Sequence, residues 1–265
     1  MTDVNLLPRI ADVERIELDR LIAYLRDLDE AGWVEQSYCF DWAVYQAVSH
    51  LASGLRITKM RLNHWVNSGP EVSREQMEAV WELFDSLRPA DVGSEFQKAT
   101  GEYLVALRAL PDEAGLLEVD GFRGVRPLWV YQLGRLHELA VHSWDIFIAR
   151  DRTARLPAAA VELFAGQLHN LFTAGDIERG RELTEGRRVE LRTANPDFRY
   201  QLNSTGVRLR LEPAGSEAAD LIVEGPAEEV CRLTAGRHFL PGSLRQLTVI
   251  SGPPGDLGKL CRVFH

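Results

Sequence analysis

Cysteine is scarce. The 265-residue chain has three, Cys39, Cys231 and Cys261, far apart in sequence. That pattern argues against a disulfide framework or a cysteine-built zinc site and fits a reducing compartment. Long apolar runs are missing as well: none approaches the roughly 18 residues of a membrane-spanning helix. The segment from Met1 to Ile10 carries an acid early and has no cationic start followed by an apolar block, so it does not read as a signal peptide. Positive charge is in deficit. Thirty Lys and Arg against 39 Asp and Glu leave a net charge of -9 and a pI near 5.3. This disfavours a basic footprint for nucleic acid or for an anionic membrane. Repeats and low-complexity tracts are not seen. The expectation is a cytoplasmic protein, monomer or homodimer, acting on small molecules. The apolar fraction of 45% is enough for a packed core.

Two grammars divide the chain. Up to about residue 180 the apolar residues recur at helical spacing. Leu18, Leu21, Ile22, Leu25 and Leu28 mark a first helix over 6–28, and Ala31-Gly32 stops it. A loop is expected over 33–40. Asp41 is a candidate N-cap for a helix from Trp42 past His64, with Val44, Ala47, Val48, Leu51 and Leu55 on its inner face. Helices follow over 73–87 and 92–110. Residues 111–127 read as irregular, and Pro127 opens a helix to about Ala149. Pro157 starts the last helix of this half, which ends near Ala174. After Thr184, apolar and polar residues alternate over 189–193, 198–202 and 207–211, as in half-buried strands. Further strands are expected at 221–223 and 247–250, with helices over 227–233 and 255–263. The fold class predicted is therefore an all-α bundle over 1–180 followed by a small α+β domain over 181–265.

The informative stretch lies on the helix after Pro127. Glu138 and His142 are four residues apart, so they share one helix face and could grip one divalent ion. His137 lies five residues from His142, about 140° around the helix, which sets it outside that face and distinguishes the pattern from a zincin His-Glu-x-x-His. Seven histidines are available for a third ligand. His64 is about 21 Å along its helix from His50, so the two cannot share an ion. His169 sits among Leu168, Leu171 and Phe172. His238 and His265 belong to the second domain. His50 is the best candidate, on a helix whose apolar face must enter the bundle. His50, Glu138 and His142 would leave a tetrahedral ion one open position, as catalytic sites do. A lone histidine on an apolar face is more often a core residue, and a Glu-x-x-x-His pair more often a surface pair. Spacing alone leaves both readings open.

The same residues carry a resemblance. Trp42 followed at eight residues by His50-Leu51-Ala52, and Arg135, Glu138, His142, Ser143, Trp144 and Asp145 in their spacing, resemble the two signatures of the mycothiol-dependent maleylpyruvate isomerase family. That family belongs to the DinB-like four-helix metal-binding superfamily. The run Leu221 to Pro226, with Leu233 to Arg237, resembles the strand, helix and Gly-Arg turn of a sterol-carrier-like α+β domain. The resemblance implies an up-down four-helix core and His50, Glu138 and His142 as metal ligands. It also implies a divalent ion, zinc above all, with a low-molecular-weight thiol as co-substrate. Cys39-Phe40-Asp41 departs from the small residues usual before the Trp, and 111–127 has no counterpart.

Such an ion stabilises a thiolate, which could add to a conjugated double bond and leave again, giving isomerisation, or displace a leaving group as an S-transferase. A metal-dependent hydrolase and a non-catalytic small-molecule or lipid binder are the competing readings. For an anionic substrate, Arg237 in the Gly-Arg turn is the candidate clamp, ahead of Arg232 and Arg208. Arg135 is a candidate to steady Glu138, and Asp145 to accept an imidazole N–H. Trp144 reads as core and Cys39 as a buried inert thiol.

Overall fold

The computed structural model describes residues 5–39, 41–121, 124–171, 177–204, 209–238 and 246–264. It divides the chain into two compact units, Met1–Arg155 and Leu156–His265.

In the first unit four long helices form the bundle: α1 (Leu7–Arg26), α3 (Val44–Asn67), α5 (Pro89–Arg108) and α6 (Leu128–Arg150). α1 packs on α6 and α5, and α3 packs on α5 and α6, so each helix touches two others. The short α2 (Glu30–Val34) occupies part of the expected 33–40 loop, with the Asp29 carboxylate accepting from the Gly32 N–H. α4 (Arg74–Asp85) is set by a capping box between Ser73 and Gln76 and packs on α3. α3 starts two residues later than the expected Trp42, with Ala43 as N-cap, because Gln46 Oε1 accepts the Ala43 N–H at 2.9 Å. The segment read as irregular between Pro111 and Pro127 holds a 3₁₀ turn, Asp112–Leu116, and an antiparallel hairpin of β1 (Glu118–Gly121) and β2 (Gly124–Pro127). Four-residue strands are too short to show periodicity.

α6 is the central element. Every residue from Leu139 to Ile148 is buried, so no face of that stretch is left to solvent. His142, Ser143 and Asp145 sit inside this otherwise apolar run. Buried polar groups need partners. α1 carries two buried acids of its own, Glu14 and Glu17. Tyr103 Oη donates to Glu14 Oε2 at 2.6 Å, and Gln132 Nε2 donates to Tyr103 Oη at 2.7 Å. Gly54 lies in the middle of α3, where glycine costs about 1 kcal/mol relative to alanine. A Cβ there would meet the Arg135 guanidinium, 3.1 Å from its Cζ and closer to Nη2.

The second unit contains α7 (Ala158–Leu171), α8 (Ile177–Thr184) and a five-stranded sheet. The strands are β3 (Val189–Ala194), β4 (Phe198–Ser204), β5 (Leu209–Pro213), β6 (Leu221–Pro226) and β7 (Thr248–Ser251), in the order β5-β4-β3-β6-β7. Among the described residues, only the β3–β6 pairing is parallel. α9 (Ala227–Thr234) packs on β3 and β6, and α10 (Asp256–Val263) packs on α8. One sheet face is the core: Val189, Leu191, Tyr200, Leu202, Leu209, Leu211, Leu221 and Val223 are all buried. The opposite face is polar, with Glu190 accepting from Arg192 and from both ends of the Arg199 fork. α7 falls in this unit, ahead of the boundary expected at 180. Its apolar stripe, including Val161, Phe164 and Leu168, packs on α9, β4 and β5. The expected strand over 207–211 appears as β5, while Arg208 and His265 lie outside the described residues. No helix among the described residues is long and apolar enough to cross a membrane.

Burial pushes the Glu14 carboxyl up to about 8, against the opposing pull of Tyr103 and Arg135. A raised folded-state value means stability that is complete below the unfolded pKa near 4.5 and is lost as pH rises through about 8. Glu14→Gln keeps an acceptor for Tyr103 and removes the titration. Melting curves at pH 5, 7 and 9 are expected to show the wild type falling against the variant, by roughly 2–5 kcal/mol at the alkaline end.

Candidate metal centre

α3 and α6 bring the three candidate ligands together. His50 Nε2 lies 3.5 Å from Glu138 Oε2, and His142 Nε2 lies 3.5 Å from the same oxygen. All three donor atoms fall within 4.8 Å of one another. These separations are long for hydrogen bonds, whose mode is near 2.9 Å. They match a shared tetrahedral ion: bonds of about 2.0–2.1 Å put neighbouring ligand atoms about 3.3–3.4 Å apart. The donor set of two imidazoles and one carboxylate also suits zinc. The residues present therefore fit a divalent ion. His50 and Glu138 keep 35% and 39% of their side-chain surface exposed, so the triangle opens outward. His142, at 11%, forms its floor.

The surroundings of His142 select its tautomer. Nδ1 is 3.0 Å from Asp145 Oδ2, and Asp145 is fully buried on the same helix. The Nδ1–H donates to the carboxylate, which leaves the Nε2 lone pair facing the other two donors. Burial opposes a cationic His142, but Asp145, Cys39 and Glu138 outweigh it and hold the imidazole well above its ordinary value. Burial likewise opposes an ionised Glu138, yet His142, His50 and the Arg135 charge hold its carboxyl well below the usual range.

Two neighbours were not read as part of the site from sequence. Trp42 packs its ring 4.9 Å from that of His50 and 5.6 Å from that of His142, forming a wall. Its place in the motif before His50 was visible, but the helix begins only at Val44, and the turn that folds Trp42 back was not. Cys39, expected as a buried inert thiol, is partly exposed and lies beside His142. Its sulfur falls within 4.8 Å of donor atoms of His142 and Asp145. Hydrogen bonds from Ser37 Oγ and Gln36 Nε2 to the Cys39 carbonyl hold this loop.

The other candidates sort by element. Arg135 lies against Gly54, and its charge acts on Glu138. Trp144 is core, donating its indole N–H to the Ala154 carbonyl at 3.0 Å. His137 is absent from the donor clusters among the described residues. His64 pairs with the Gly69 carbonyl at the end of α3. Arg237 and His238 belong to the second unit, where Arg237 donates to the Ala235 carbonyl at 3.0 Å. Arg232 is buried and paired with Glu228 and Glu229, a structural role.

The family profile named for the mycothiol maleylpyruvate isomerase N-terminal domain matches residues 15–147, which span α1 to α6 and both halves of the donor triangle. The chain belongs to this family. Among solved structures, it resembles a crystal structure of the mycothiol-dependent maleylpyruvate isomerase. The TM-score is 0.66 at 21% identity, over 93% of this chain and 94% of that one. A histidine-to-alanine mutant of that enzyme matches with a TM-score of 0.64 at 20% identity, over the same shares. The likeness shows that the fold is shared through both units. No curated protein matches the chain.

Asp145→Asn keeps the size of the side chain but weakens the acceptor that fixes His142. Titration of the metal-stripped protein with zinc is expected to show about 10- to 100-fold weaker binding than in the wild type.

Proposed function

We propose that the protein is a metal- and thiol-dependent enzyme of the maleylpyruvate isomerase type, an isomerase or S-transferase acting on a small, anionic electrophile. Family membership supports the thiol co-substrate. The observation that carries the metal is the donor cluster itself: Glu138 Oε2 lies 3.5 Å from each imidazole Nε2, longer than the usual hydrogen bond and close to the spacing of ligands around one ion.

His50 Nε2, Glu138 Oε2 and His142 Nε2 would hold the ion, zinc by donor type. Bound there with one position open, it would hold the sulfur of a low-molecular-weight thiol as thiolate near neutral pH, ready to add to a conjugated double bond or to displace a leaving group. Asp145 keeps the proton of His142 on Nδ1, so that Nε2 stays free to ligate. Trp42 supplies an apolar wall over both imidazoles and keeps bulk water from that side. Arg135 balances the charge of Glu138.

The test is elemental analysis with activity. About one zinc per chain is expected in the wild type, and little in His142→Ala. Conversion of a cis-configured unsaturated diacid should require added thiol. Protein from a zinc-replete preparation that carries no metal overturns the reading. Turnover without thiol favours a hydrolase instead.

A further inference from the structure

We infer that Gly54 is a positioning residue of the metal centre: its missing side chain is the seat of the Arg135 guanidinium, which steadies Glu138 for the ion. This rests on the metal reading above and extends it to a residue that no ligand pattern points to.

The register carries the argument. His50 and Gly54 are four residues apart on α3, and Arg135 and Glu138 are three apart on α6. Each pair spans about one turn of its helix. The two helices pack against each other. His50 meets Glu138, and one turn along, Gly54 meets Arg135. The contact is one of shape. A Cβ on Gly54 would fall within the space of the guanidinium, 3.1 Å from Cζ and nearer Nη2. Arg135 Nε is buried with no acceptor among the described residues, so the notch in α3 does what a hydrogen bond at Nε does not.

The charge of Arg135 reaches two acids, Glu138 at the site and Glu14 in the bundle interior. Burial keeps Glu14 protonated at neutral pH, and Tyr103 and Gln132 close the network behind it. A guanidinium seated one helical turn from a ligating carboxylate favours its ionised form, the form that binds a cation.

Alanine at position 54 favours the helix, so a stability effect and a site effect should have opposite signs. Zinc titration of the metal-stripped, full-length protein separates them. Gly54→Ala is expected to bind zinc about 10- to 100-fold more weakly, while the melting temperature of its metal-free form is unchanged or higher. Arg135→Ala should weaken binding to a similar extent. In the double variant the second change should add less than about twofold, because both act through one contact. Equal affinity in Gly54→Ala and wild type overturns the inference, as does a loss of the same size in the Arg135→Ala background. If Gly54→Ala does not fold, wild-type affinity in Arg135→Ala overturns it. A wild type that binds no zinc overturns the functional reading and this inference together. A wild type that binds while the variants match it overturns this inference alone.

Discussion

Three electron-rich atoms converge at the α3–α6 packing interface, and the rest of the first unit is arranged so that they can. A carboxylate 3.5 Å from two imidazole nitrogens, one of them on a buried histidine, is costly unless a cation is shared among them. The chain supplies partial compensation at each corner. Asp145 takes the outer N–H of His142, the charge of Arg135 favours ionised Glu138, and the Cys39 sulfur lies close to His142. These partners lower the energy of the arrangement. In the reading proposed above, an ion would meet donors whose charges are already partly compensated.

The cost of this polarity is spread through the bundle. α6 carries His142, Ser143 and Asp145 inside ten consecutive buried positions, Leu139 to Ile148, and α1 faces the interior with Glu14 and Glu17. Burial raises both acids, Glu14 to about 8 and Glu17 to about 7, the opposite of what happens to Glu138. Carboxylates on one scaffold thus divide their roles. Those deep in the bundle are pushed towards the neutral form and hydrogen-bond, while the one at the rim stays ionised and available to a cation.

The second unit follows a different logic. Its sheet buries one apolar face under helices and leaves the other polar, with Glu190 tied to two arginines. Most of this alternation was readable directly, because a strand with one buried face repeats every two residues. The helices α2 and α8 and the hairpin β1–β2 were not. Each is short, and its stability comes from packing rather than from a repeating pattern. α7 was legible as a helix, but the unit it joins depends on which partners its stripe of Val161, Phe164 and Leu168 meets.

At the site the division is sharper. The sequence by itself determined that Glu138 and His142 share a face, that His137 does not, and that His64 and His50 are too far apart, because these follow from helix geometry along one segment. It also determined the family, through motifs that sit on two separate helices. Tertiary structure alone decided that His50 reaches Glu138 across 88 positions, that Trp42 folds back over both imidazoles, and that Cys39 lies beside His142. It alone decided that Gly54 is the space in which Arg135 rests. The reason is physical: periodicity reports which way a side chain points from its own helix, whereas a ligand triangle and a notch are properties of two helices packed together.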